Sequence, residues 1–143
     1  ALKSLEKLKY KYDYSTKLED CKIVVSGDFN GDKNSGVYHY LTTGEINANY
    51  TEELSNGNKI SVTKKNIKHN YQFTSLSQQI LGHEPDTFIV QSLLTDCLDF
   101  LFYTHKNMKA LSSLSEYNTQ YGYIPNKKVP SDHVSIGGLI QFT

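Results

Sequence analysis

Apolar residues along the chain fall into runs of two periods. Leu2, Leu5 and Leu8 approximate one helical face with lysines between them, which predicts an amphipathic helix over residues 1–12 and an irregular linker over residues 15–20. Residues 22–26 are short, β-branched and apolar, the pattern of a strand buried on both faces. In "GDKNSGVYHYLTTGEI", Asn34 or Ser35 can cap a short helix that carries Val37, Tyr38 and Leu41 and ends near Gly44. Residues 47–72 are polar, rich in lysine and asparagine, and weakly patterned, so they predict a long and partly mobile excursion.

Strand-like patterning then returns. "FIVQSLL" is one such run. In "TDCLDFLFYTH", strict alternation places Leu98, Phe100 and Phe102 on one face and Cys97, Asp99, Leu101 and Tyr103 on the other. "VSIGGLIQFT" predicts a last strand with Val134, Ile136 and Ile140 on one face. The expected class is α/β, a mainly antiparallel or mixed sheet with helices on one face.

Length and charge narrow the function classes. With 143 residues the chain can bury one real core and no comfortable second one. No run is long and apolar enough to span a bilayer, and no signal-like stretch opens the chain, so an intracellular setting in cytoplasm or nucleus, without a membrane partner, is expected. Net charge is zero, and all 15 basic residues are lysine. Phosphate recognition must therefore do without the guanidinium fork. Cys21 and Cys97 sit in apolar context and read as small core residues of a reducing compartment. The Asn49-Tyr50-Thr51 sequon is read as a chance match.

Three acid-bearing spots lie in or at the end of strand-like segments: Asp28 and Asn30 in "SGDFNG", Asp99 in "CLDFLFY", and Asp132 with His133 in "VPSDHVSIGG". Each has a bland explanation alone. Asp and Asn beside Gly31 are common turn formers, Asp99 could be a satisfied buried acid, and Ser131-Asp132 could simply start a strand. The lysines Lys64, Lys65 and Lys68 read first as solvated surface, and the tyrosines of "EYNTQYGYIPN" as loop packing. His39, His69, His83 and His105 show no metal-ligand spacing. The "LGHEPDTF" loop, leading into the strands before Asp99, is placed near the rim of a site.

Taken in order, the three motifs resemble the second half of the endonuclease/exonuclease/phosphatase superfamily. "VVSGDFNGDKNSGVYHYL", "LDFLFYT" and "YIPNKKVPSDHVSIGGLIQF" are similar to its deadenylase-like group, which includes carbon-catabolite-repressor type deadenylases, nocturnin, Angel and the 2′-5′ phosphodiesterase. The resemblance implies that residues 1–143 form the C-terminal half of a four-layered α/β sandwich whose N-terminal half lies outside this sequence. It implies a Mg²⁺-dependent phosphodiesterase, with Mn²⁺ as the alternative ion, acting on RNA at a poly(A) 3′ end. In the roles it carries over, Asp28 orients or deprotonates the attacking water and Asn30 donates its amide to the scissile phosphate. His133 meets a phosphate oxygen while Asp99 fixes its tautomer, and Asp132, with Asp28, is a metal ligand. Such chemistry needs an aligned water and neutralisation of growing charge. The family's principal metal-binding glutamate has no counterpart in context here, so the chain by itself is expected to be inactive. A non-catalytic RNA-binding or scaffold module, or a relative acting on 2′-5′ linkages or terminal phosphates, remains open at this point.

Overall fold

A computed structural model of the chain describes residues 3, 4, 7, 20–54, 56–90, 94–118, 120 and 122–143. In chain order the elements are β1 (Val24–Asp28), α1 (Gly36–Thr43), β2 (Glu45–Ile46), β3 (Thr51–Glu53), β4 (Lys59–Ser61), β5 (Ile67–Lys68) and β6 (Phe73–Ser75). They continue with α2 (Leu76–Leu81), β7 (Phe88–Val90), β8 (Leu94–Asp96), β9 (Asp99–Thr104), β10 (Met108–Ser113) and β11 (Gly138–Phe142). Leu2, Leu5 and Leu8, on which the expected first helix rests, lie outside the described residues.

The centre is an antiparallel sheet in the order β1-β9-β6. β9 suits the middle position because both of its faces carry apolar residues, and it separates two apolar clusters. Phe100 and Phe102, 1% and 0% exposed, face a cluster with Leu41, Tyr71 and Phe73. Burying each phenylalanine contributes about 1.5–3 kcal/mol. Phe29 and Tyr38 close on the same two rings edge-on, with centroids 5.1–6.0 Å apart. Tyr103, on the opposite face, packs with Leu76, Met108 and Ala110, and Leu101 and Ile140 border them.

Helix α1 covers the Phe100/Phe102 face, and its ends are those the sequence marks. Ser35 is the N-cap, its Oγ accepting from the Tyr38 N–H at 3.3 Å. Gly44 closes the helix in the left-handed region at φ 84° and donates to the Tyr40 carbonyl.

Several expectations change. β1 is not buried on both faces: Val24 is 47% exposed, while Ile23 and Val25 pack against the Phe100 cluster. It pairs only with β9 among the described residues, so it behaves as a half-covered edge strand. Residues 47–72 are not an unpatterned excursion: β3 pairs with β4 within them, and β5 pairs back with β2, just before them, so the two antiparallel ladders nest. The "FIVQSLL" run is not one strand, because β7 turns back onto β8; residues 91–93 lie outside the described set. The chain kinks at Cys97 and Leu98, which sends Cys97 to the Phe100 side rather than to the side of Asp99. Val134 and Ile136 precede the last strand, which starts at Gly138 and pairs with β10.

Candidate active site

The site forms where β1 and β9 end together. Their register sets Asp28 directly opposite Asp99, and directly opposed residues of an antiparallel pair point to the same face. That face is the one α1 does not cover. Two opposed carboxylates repel each other, so a cation or donor between them is needed to make the arrangement favourable.

His133 supplies it. Its Nδ1 lies 2.7 Å from Asp99 Oδ2, with the imidazole side chain 28% and the carboxylate side chain 14% exposed. An ionised carboxylate only accepts, so Nδ1 carries the proton and Nε2 is the nitrogen a substrate oxygen can meet. The hydrogen bond to Asp99 is the main cause that raises the His133 pKa above its ordinary value; partial burial opposes the shift, and the Asp99, Asp28 and Asp132 charges add to it.

The turn after β1 presents Asp28 and Asn30. Asp28 Oδ1 accepts the Asn30 N–H at 2.7 Å, the self-closing turn that Asp favours. Asn30 sits at φ 50°, in the left-handed region that asparagine tolerates better than most residues. Gly31 follows because a Cβ there would lie 2.9 Å from the Ser35 Cβ at the start of α1. Phe29, between the two polar residues, points inward to the aromatic core, and its N–H bonds the Leu98 carbonyl beside Asp99 at 2.8 Å. The turn reading and the functional reading of "GDFN" are therefore compatible: the turn is what exposes the acid and the amide.

His133 itself is placed by β7. The Ile89 N–H donates to the Asp132 carbonyl at 2.9 Å and the Val134 N–H to the Thr87 carbonyl at 2.8 Å, so residues 132–134 run beside β7 as a short antiparallel bridge. The Phe88 ring lies 5.1 Å from the imidazole. The His133 N–H is closed locally by Ser131 Oγ at 3.1 Å. Asp132 is exposed beside it.

The structure thus brings Asp28, Asp99 and His133 to one strand end, with Asn30 and Asp132 on the adjoining loops. Among the described residues, no three His, Cys, Asp or Glu side chains converge where they could hold one ion. Asp28 and Asp132 offer the hard oxygens that Mg²⁺ takes, but by themselves these residues do not make up an ion site. Three of the other histidines are engaged elsewhere. Buried His69 accepts the Tyr71 N–H at Nδ1 and donates to the Tyr40 carbonyl from Nε2, 2.8 Å away. His83 pairs with Glu116, and His39 stacks on Tyr50. Asp20 pairs with Lys106 at 2.6 Å. Lys68 pairs with Glu45 across β2 and β5, which holds that carboxyl below its ordinary pKa.

The sequence places the "LGHEPDTF" loop near the rim of the site, and it does border it, but nothing in the sequence singles out Thr87, which bonds Val134, or Phe88, which lies against His133.

No family model matches the chain. Curated proteins do. The CCR4-Not complex 3′-5′-exoribonuclease subunit Ccr4 of Kluyveromyces lactis is 27% identical over 139 residues, covering 94% of this chain and 17% of that protein. The subunit of the same name from Saccharomyces cerevisiae is 27% identical over 147 residues, 99% of this chain and 17% of that protein. A probable Ccr4 subunit of Enterocytozoon bieneusi is 29% identical over 152 residues, 99% of this chain and 27% of that protein. Among solved structures, ANGEL2, a 2′,3′-cyclic phosphatase in complex with adenosine-2′,3′-vanadate, superposes with a TM-score of 0.67 at 22% identity. The match covers 93% of this chain and 47% of that one. The resemblance drawn from the three motifs is borne out in sequence by the exoribonuclease subunits and in fold by ANGEL2. The α/β class expected for half of such a sandwich is borne out with it. The chain spans 17% of the length of the first two relatives.

Proposed function

We propose that residues 1–143 form the Asp- and His-bearing C-terminal half of a metal-dependent phosphodiesterase domain, which in the full-length protein acts as a 3′ exoribonuclease on RNA. The observation that carries the reading is the Asp99–His133 pair at 2.7 Å, with Asp99 held in register opposite Asp28 where β1 and β9 end together. A structural acid needs no histidine aimed at it from a separate loop, and a turn needs no second carboxylate opposite. The names of the related exoribonuclease subunits support RNA as the substrate class, with the poly(A) 3′ end as the proposed target.

In this reading Asp28 orients or deprotonates the attacking water, and Asn30 gives its side-chain amide to the scissile phosphate. His133 gives the Nε2 side of its ring to a phosphate oxygen, and Asp99 keeps the ring oriented and favours its charged form. Asp132, with Asp28, is proposed to hold Mg²⁺ (or Mn²⁺) with donors from the other half of the domain. Such an ion, when bound, would supply charge neutralisation at the phosphate. The retention of Asp28, Asn30, Asp99, Asp132 and His133 together favours an enzyme over a scaffold module on the same fold.

The test is digestion by the full-length protein of 3′-labelled poly(A), mixed-sequence RNA and RNA ending in a 2′,3′-cyclic phosphate, with Mg²⁺ and with chelator. Shortening of poly(A) in Mg²⁺, reduced on the order of 10²- to 10⁴-fold by His133→Ala, supports the reading. Turnover of the cyclic phosphate alone moves the substrate to the RNA terminus. No turnover of any of the three leaves the scaffold module as the account.

A further inference from the structure

Between β7 and the site lies a buried side chain that the proposed chemistry does not use. Thr87 is 0% exposed. Its Oγ1 accepts two neighbouring backbone N–H groups, those of Leu98 and Asp99, each at 3.0 Å. Its own N–H donates to the Asp96 carbonyl at 2.9 Å, and its carbonyl accepts from the Val134 N–H at 2.8 Å. One residue therefore bonds the chain on the N-terminal side of Asp99, the backbone of Asp99 itself, and the residue after His133.

The chain needs such a tie at this point. β8 ends at Asp96 and β9 begins at Asp99, and at this junction the Leu98 and Asp99 N–H groups find their acceptor in the Thr87 side chain rather than in a strand. Buried N–H groups without an acceptor are expensive. An apolar residue at position 87 would leave both unpaired, and the backbone of Asp99 would have to rotate to find another acceptor. The carboxylate would rotate with it, away from a histidine whose own backbone hangs from the carbonyl of the same threonine.

We propose that Thr87 is a positioning residue: by accepting the Leu98 and Asp99 amides with its side chain and the Val134 amide with its carbonyl, it sets the Asp99 carboxylate against His133 Nδ1. The side-chain role is separate from holding β7 to β8, which the backbones of Phe88, Ile89 and Val90 and the Thr87 N–H do. It rests on the reading of Asp99 and His133 as a working pair for its effect on turnover, but not for its effect on geometry.

Two variants in the full-length protein separate the outcomes. Thr87→Val keeps shape and removes the hydroxyl; Thr87→Ser keeps the hydroxyl and removes a methyl. The ring nitrogens of His133, read by ¹⁵N chemical shift in the neutral state, report which one carries the proton. The native protein and Thr87→Ser should hold it on Nδ1, and Thr87→Val should move most of the population to Nε2, with faster exchange of the Leu98 and Asp99 amides. In RNA digestion, Thr87→Val should lower kcat by up to about 100-fold with KM little changed, and Thr87→Ser should restore most of it. An unaltered Nδ1–H population in folded Thr87→Val would overturn the proposal. So would equal loss in both variants, which would mean packing alone. A native protein that cleaves nothing while the tautomer shift occurs as described would count against the exoribonuclease reading and leave the positioning role standing.

Discussion

The apolar body of β9 and its polar first residue are neighbours in sequence and do opposite things. Phe100 and Phe102 look into a dry aromatic cluster closed by α1, where shape and apolar area decide the outcome. Asp99, at the same strand's first position, looks the other way, toward Asp28 across the ladder and His133 from a distant loop. On the first face every neighbour stabilises the fold. On the second, Leu101 and Tyr103 pack into another apolar cluster, and only at the strand's first position are two acids held opposite each other, with a histidine bonded to one of them. A strand that supplies both can keep its polar end fixed because its apolar end cannot move.

That contrast can be broken from the dry side first. Phe102→Ala should cost about 3–5 kcal/mol in a denaturant titration, which is a large share of the 5–15 kcal/mol typical of a domain. A cost near that of a surface substitution would mean that the aromatic cluster does not anchor β9.

On the polar side the expected effect is smaller and depends on pH. The folded-state pKa of His133 is raised, chiefly by its hydrogen bond to Asp99. A raised pKa stabilises the fold in full below the ordinary value of 6.5 and loses that contribution as pH rises through the folded value. Asp99→Asn should therefore cost about 1 kcal/mol at pH 5.5, where the pair is charged, and less at pH 9. Equal costs at the two pH values, by urea denaturation without divalent metal, would contradict an ionic pair.

Two further measurements sharpen the dry face. Ser35→Ala removes the cap of α1 and should cost roughly 1 kcal/mol, with no change in the His133 ring signals. Burial and then the surrounding Glu84, Asp96, Asp86 and Asp99 charges push the Cys97 thiol up to about 12. At pH 8 it should resist a thiol reagent in native protein and react after unfolding. Rapid labelling of native Cys97 would show that the kink before Asp99 opens readily.

How much of this was legible follows the same division. Alternation in "LDFLFYT" reports β9 and its two faces directly, because a two-residue period is a local signal. The ends of α1 were nearly legible too, since caps are local signals: Gly44 was read as its end, and its start was narrowed to Asn34 or Ser35, of which Ser35 is the cap. Asp28, Asp99 and His133 were legible as residue types in an order, through a family resemblance. The burial of β1 was misjudged because an edge strand and a central one can share a β-branched run, and only the partner strands distinguish them. The ladders of β2 with β5 and β3 with β4 were illegible, since strands of two and three residues carry too little pattern. Met108 and Ala110 alternate inward on β10, but an alanine and a methionine do not separate strand from helix by propensity. Thr87 was beyond reach altogether: its contacts are to backbone amides, which every sequence has.

The central claim is that Asp99 and His133 act as one unit, and a double-mutant cycle on RNA turnover by the full-length protein tests it most directly. If the claim holds, Asp99→Asn and His133→Ala each lower kcat strongly, and the double variant is no slower than His133→Ala alone, because the second change removes an interaction already gone. Losses that multiply would show two groups working separately, and a double variant at native speed would place the chemistry somewhere else.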